Sequence, residues 1–149
     1  AFAGAPLFVC GETSEEGATP GLGLLPGRVQ RFPADRMRDD RGARLKVPHM
    51  GWNQERQTVE HPLWRGIPQG SRFYFVHSYF AVPGRRELTA GESVYGVPFT
   101  CAAARGNVFA VQFHPEKSAG SGLKLLANFI EWQPAAQGAT RSAAASPAA

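Results

Sequence analysis

A histidine and a carboxylate two residues apart, His114 and Glu116 with Pro115 between them, are the pair in this chain best spaced for proton transfer. Alternate residues of an extended segment point to the same side, and a proline stiffens the link between them. A carboxylate so placed fixes the imidazole tautomer and stabilises the imidazolium, leaving the other ring nitrogen free to take a proton from a nucleophile. The pair alone also fits a plainer arrangement, in which His114 ends a strand and Glu116 is a solvated residue at the start of a helix, where negative charge favours the dipole. A nucleophile would decide between them, and Cys10 is the candidate. It follows an apolar stretch and precedes Gly11, as a cysteine on a tight strand-to-helix turn would, and a helix amino terminus would lower its pKa from about 8.5. The residues after it, Gly11 to Gly17, show no helix, so by residue type alone Cys10 reads as a packed or free thiol. Cys101 lies within Phe99-Thr100-Cys101-Ala102 and reads as core.

Further polar groups fall on aromatic segments. His77-Ser78-Tyr79 closes an aromatic run and presents a hydroxyl and a phenol to a polar ligand, or is a half-buried strand end with its polar groups satisfied. Trp52 and Asn53 sit in Pro48-His49-Met50-Gly51-Trp52-Asn53, an odd composition for a loop. Trp and Met anchor partner surfaces, although by residue type a core Trp is the commoner case. His49 and His61 carry no signal above structure. The two cysteines and four histidines show no metal-ligand spacing, so neither a metal nor a disulfide framework is expected.

These groups need elements to position them. After the Gly106-Asn107 turn, Val108 to Phe113 is apolar at five of six positions and reads as a buried strand running into His114, in the place where open α/β sheets put their chemistry. Tyr95 to Ala104 reads as its hairpin partner, and Arg72 to Phe80 as a second aromatic strand. Gly27 to Phe32 could be an edge strand, and Pro33 to Arg44 a solvated excursion. Ser118 to Trp132 has apolar residues at Leu123, Leu126, Phe129 and Ile130, a helical spacing, with Ser118 or Ser121 available as cap. Residues 133–149 are rich in Ala, Ser and Pro and read as a disordered tail, so the folded part is one domain over 1–132.

With 149 residues, 43% hydrophobic and 19% charged, the chain can bury a core. The net charge of +4 is spread over scattered arginines without interleaved aromatics, which argues against a nucleic-acid partner. No apolar run suits a membrane span and the first residues do not suit a signal peptide, so a cytoplasmic protein is the default. The opening lacks an initiating Met and looks truncated.

Taken together, F-H-P-E-K-S after an apolar strand, preceded by P-H-M-G-W-N and F-V-H-S-Y-F, resembles the glutamine amidotransferase subunits of imidazole glycerol phosphate synthases, within the class I (triad) amidotransferases. The resemblance runs from about Ser14 to Trp132 and includes T-P-G-L-G-L-L-P-G at Thr19 to Gly27. It implies an α/β fold, a mixed sheet with flanking helices, incomplete at the amino terminus. It further implies a glutaminase with a Cys-His-Glu triad and no cofactor, passing ammonia to a cyclase subunit in histidine biosynthesis. By resemblance Cys10, His114 and Glu116 are catalytic, Glu16, His77, Ser78 and Tyr79 border glutamine, and Trp52, Asn53 and Lys117 meet the cyclase. The family holds its cysteine in G-x-C-x-G followed by a helix, whereas Phe8-Val9-Cys10-Gly11-Glu12 lacks the first glycine and the helix. Either Cys10 is the nucleophile with a deletion after it, or the elbow is lost; Cys-Gly-Glu shortly before Ser14-Glu15-Glu16-Gly17 favours the first. The alternatives are another triad amidotransferase, γ-glutamyl hydrolase, or a non-catalytic interaction subunit.

Overall fold

The computed structural model describes residues 9–10 and 23–134; Glu16 and the expected tail from residue 135 onward lie outside the described residues. The strands are β1 (Val9–Cys10), β2 (Leu25–Arg31), β3 (His49–Gln54), β4 (Arg56–Gln57), β5 (Arg72–His77), β6 (Tyr79–Pro83), β7 (Thr89–Tyr95), β8 (Val97–Arg105) and β9 (Val108–Val111), followed by helix α1 (Ala119–Glu131). Seven strands form one sheet in the order β1-β2-β6-β8-β7-β4, with β9 added on β8, while β3 and β5 pair separately. β1 runs parallel to β2 and the other pairs are antiparallel, so the sheet is mixed, as the α/β expectation requires.

The aromatic run from Arg72 is two strands rather than one. β5 alternates Phe73, Phe75 and His77 inward, and the chain then breaks at Ser78 so that Tyr79 onward joins the larger sheet. Ser78 is a pivot between sheets, its carbonyl accepting from Phe32 N–H at 3.1 Å. The segment expected from Tyr95 is likewise cut by Gly96, whose φ of 69° only glycine adopts readily, and the ends at Tyr95 and Val97 belong to different strands of a tight hairpin. The Gly106 hairpin between β8 and β9 stands where the sequence puts it, with φ 57° at the glycine.

The strand from Val108 stops at Val111, short of the expected Phe113. Its residues are half-buried, Gln112 N–H turns back to the Cys101 carbonyl at 2.8 Å, and Phe113 leaves the ladder to stack fully buried on Phe73, with ring centroids 4.1 Å apart. Pro48 to Asn53 is no loop, since His49 to Asn53 all pair with β5. Pro33 to Arg44 is mostly exposed, but Met37 is buried and anchors it. The core around Phe32, Phe75, Phe80, Phe99 and Trp64 lies under both sheets, and Cys101 belongs to it as expected.

Helix α1 differs from its expected packing. Leu123, Leu126, Phe129 and Ile130 are exposed, and the buried face is Gly122, Leu125 and Asn128. The reason is polar and steric: Asn128 Nδ2 donates to the Leu63 and Arg65 carbonyls, both at 2.8 Å, and Gly122 lies so close to the Pro115 carbonyl that a Cβ would overlap it. No helix of the described residues is long and apolar enough to cross a membrane.

Candidate functional site

His114 follows β9 and opens the single turn Pro115–Lys117 that leads into α1. Proline at the first position of that turn needs no N–H partner, and its fixed φ suits the turn. The turn is tied to β5 at two points. His114 N–H donates to the Tyr74 carbonyl at 2.9 Å, and Tyr74 N–H donates to Ser118 Oγ at 2.9 Å. The Ser118 hydroxyl in turn donates to the His114 carbonyl at 2.5 Å. Ser118 is fully buried and makes no helix cap through its side chain; the cap expected there is instead a clamp.

The clamp sets the pair. His114 Nδ1 and Glu116 Oε1 are 2.8 Å apart, the imidazole buried and the carboxylate half exposed. An ionised carboxylate only accepts, so Nδ1 carries the proton and Nε2 presents its lone pair. Partial burial pushes the Glu116 carboxyl up, but the hydrogen bonds from its own backbone and from the His114 ring, with the His114 charge, hold it below the usual range. A histidine so oriented is a general base through Nε2.

Of the other sequence candidates, Cys10 is described only as the end of β1, its backbone in register with Pro26 of β2. His77 is buried with both ring nitrogens engaged, Nδ1 with the Tyr79 carbonyl at 2.8 Å and Nε2 with His49 Nδ1 at 2.9 Å. Ser78 is partly accessible and Tyr79 exposed. Burial pushes His77 down to about 4, the Tyr79 hydrogen bond raising it and the His114 charge lowering it, and pushes His49 down to about 3 with a further lowering from His77. Both rings are therefore neutral at neutral pH.

Trp52 is 46% exposed rather than core, because it faces outward from β3 with Met50, opposite Tyr74, whose ring meets it edge-on at 5.9 Å. Tyr74 thus joins the Trp52 face to the His114 turn. Lys117 is exposed on that turn. Asn53 Nδ2 donates to the Val94 carbonyl at 2.8 Å and approaches His49 Nε2 at 3.4 Å. Sequence reasoning missed His49 and the clamping role of Ser118. An inward His facing a second His on the neighbouring strand shows only once the β3–β5 register is known. Among the described residues, no group of three or more His, Cys, Asp or Glu side chains is placed to hold a metal.

Residues 21–132 match the family model of class-I glutamine amidotransferases. The imidazole glycerol phosphate synthase subunit HisH of Thiobacillus denitrificans is 64% identical over 123 residues, covering 83% of this chain and 54% of that protein. The subunit HisH of Aromatoleum aromaticum is 63% identical over 123 residues, covering 83% and 58%, and that of Neisseria gonorrhoeae 58% over 119 residues, covering 80% and 56%. The chain thus spans about half the length of the curated relatives it matches.

Proposed function

The chain belongs to the class I glutamine amidotransferase family, and from that premise we propose that it contributes the general base of a glutaminase that feeds ammonia to a cyclase subunit of imidazole glycerol phosphate synthase. The carrying observation is the 2.8 Å contact of His114 Nδ1 with Glu116, which leaves Nε2 to work on a nucleophile. In this reading Nε2 takes the Cys10 thiol proton and the thiolate attacks the glutamine carboxamide carbon. As the C–N bond breaks, His114 returns that proton to the leaving ammonia, and a thioester forms. His114 then deprotonates a water that attacks the thioester, releasing glutamate and the thiol.

Ser78, Tyr79 and Glu16 would border the glutamine amino and carboxylate groups. His77, with both nitrogens used internally, would support that edge from beneath. Trp52, Asn53 and Lys117 would meet the cyclase, a role that suits the half-exposed Trp52 and the three relatives' naming as synthase subunits. The reading implies a cytoplasmic heterodimer acting in histidine biosynthesis, without a cofactor.

A glutamine-derived electrophilic affinity label tests it on the full chain, with and without a cyclase subunit. Labelling of Cys10 that disappears in Cys10→Ala and falls steeply in His114→Ala supports the glutaminase. Absence of labelling in the presence of the cyclase, with binding intact, would instead identify a non-catalytic interaction subunit.

A further inference from the structure

His49, Asn53 and His77 form a directed run of hydrogen bonds that the glutaminase chemistry does not use. A carbonyl can only accept, so the 2.8 Å contact with the Tyr79 carbonyl puts a proton on His77 Nδ1. A neutral His77 then offers Nε2 as an acceptor, and the 2.9 Å contact puts the donating proton on His49 Nδ1. His49 Nε2 is left as an acceptor, facing Asn53 Nδ2. The Asn53 amide orientation is fixed independently, because Nδ2 also donates to the Val94 carbonyl at 2.8 Å and Oδ1 accepts from Gln54 N–H at 2.8 Å. Both ends of the run therefore demand the same polarity.

The geometry is built to hold it. The His49 ring is stacked between Tyr95, at 4.0 Å and 20°, and Phe75, at 4.9 Å and 21°, so it has no room to turn. In a regular strand, residues four apart lie about 13 Å from each other. His49 and Asn53 span that length on the same inward side of β3, whose pairing with β5 is unbroken, and with only Gly51 between them on that side their side chains reach along the strand to 3.4 Å. The run starts on the strand that carries exposed Trp52 and ends at the Ser78 pivot where β5 passes into β6.

We propose that His49 is a positioning residue that couples Asn53, the neighbour of Trp52 along β3, to the Ser78–Tyr79 backbone, so that a displacement of Asn53 shifts the edge where glutamine would lie. The coupling itself stands on the hydrogen bonds; its relevance to glutamine rests on the reading above.

Nitrogen NMR of the full chain with isotope-labelled histidine rings tests the polarity. Both His49 and His77 should stay neutral with the proton on Nδ1 between about pH 5 and 8; a proton on His77 Nε2, or a charged ring in that range, overturns the proposal. Backbone amide spectra test the coupling. Asn53→Ala should move the Ser78 and Tyr79 signals, most of that movement should vanish in a His49→Phe background, and His49→Gln should restore it, since its amide can donate to His77 and accept from Asn53. An Asn53→Ala effect absent from Ser78 and Tyr79, or undiminished by His49→Phe, overturns it. If His49→Phe does not fold, the ring protonation and Asn53→Ala alone still decide. Glutamine added to the same sample separates the two readings: signals at Ser78 and Tyr79 that ignore glutamine would remove the substrate role and leave the coupling standing.

Discussion

Two acidic residues show how environment divides one chemistry. Glu116 is half exposed, bonded to His114 and held below the usual carboxylate range against the opposing effect of its partial burial. Replacing it with Gln would remove the charge that stabilises the imidazolium, and on the proposed glutaminase reading Cys10 labelling by the affinity reagent should slow by roughly a hundredfold or more. Glu55 is the opposite case. Both its carboxyl oxygens are buried without a hydrogen-bond partner among the described residues, against Gly91, where a Cβ would come within 2.5 Å of Oε1. Burial pushes it up to about 8 from an ordinary 4.5, the neighbouring Arg56 charge lowering it only in part. The unfolded chain gives up this proton near its ordinary pKa while the folded chain keeps it, so stability is greatest below that value and falls as pH rises toward the folded one. The slope approaches 1.4 kcal/mol per pH unit, about 3 kcal/mol between roughly pH 5 and pH 7. Urea midpoints should show that fall in the wild type and lose it in Glu55→Gln; an unchanged slope in the variant would assign it to another group. The His114–Glu116 pair was legible in the sequence because two-residue spacing and a proline constrain it locally. Glu55 was not, because its burial follows from where β3 ends and from the missing side chain at Gly91.

At the level of elements, the His114 turn owes its position to two small residues. Ser118→Ala removes the acceptor for Tyr74 N–H and the donor to the His114 carbonyl, and a buried amide left without a partner costs about 1–3 kcal/mol. The expected result is a loss of that size in unfolding free energy together with slower Cys10 labelling, since the turn keeps only one of its two ties to β5. Gly122→Ala should be at least as harmful despite its better helix propensity, because the added Cβ would meet the Pro115 carbonyl and push α1 off the turn. A thermal midpoint equal to wild type in Gly122→Ala would show that the helix can slide at little cost. Strand and hairpin signals were read well where punctuation was local, as at Gly106, and badly where a strand changes sheets, as at Ser78. A change of sheet leaves no mark in residue type, because Phe75, His77 and Phe80 are buried on either side of the pivot. The apolar spacing of α1 was real, but periodicity reports a face and not its neighbour, and the Asn128 bonds turned the other face inward.

On the scale of the whole molecule, large apolar side chains of the described residues reach the surface together on two elements, Met50 and Trp52 on β3 and Leu123, Leu126, Phe129 and Ile130 on α1. Exposed apolar groups gathered in patches mark interaction sites more often than scattered ones do. They are not equivalent in this protein. Trp52 shares Tyr74 with the His114 turn and precedes Asn53 along β3, so a partner seated there would bear on Tyr74 and on the strand that carries the path to Ser78. The α1 side chains connect to neither, since the helix meets the body through Gly122, Leu125 and Asn128. A cyclase that both receives ammonia and senses the glutamine site should therefore bind the β3 face. Truncating a half-buried interface Trp typically costs about 2 kcal/mol or more, close to thirtyfold in Kd. Trp52→Ala should weaken cyclase binding by about that factor in a titration of the purified subunits, while Ile130→Lys, at a position 83% exposed, should leave both cyclase affinity and the unfolding midpoint nearly unchanged. The reverse pattern, with Ile130→Lys abolishing binding and Trp52→Ala tolerated, would move the partner to the helix and separate it from the His114 turn.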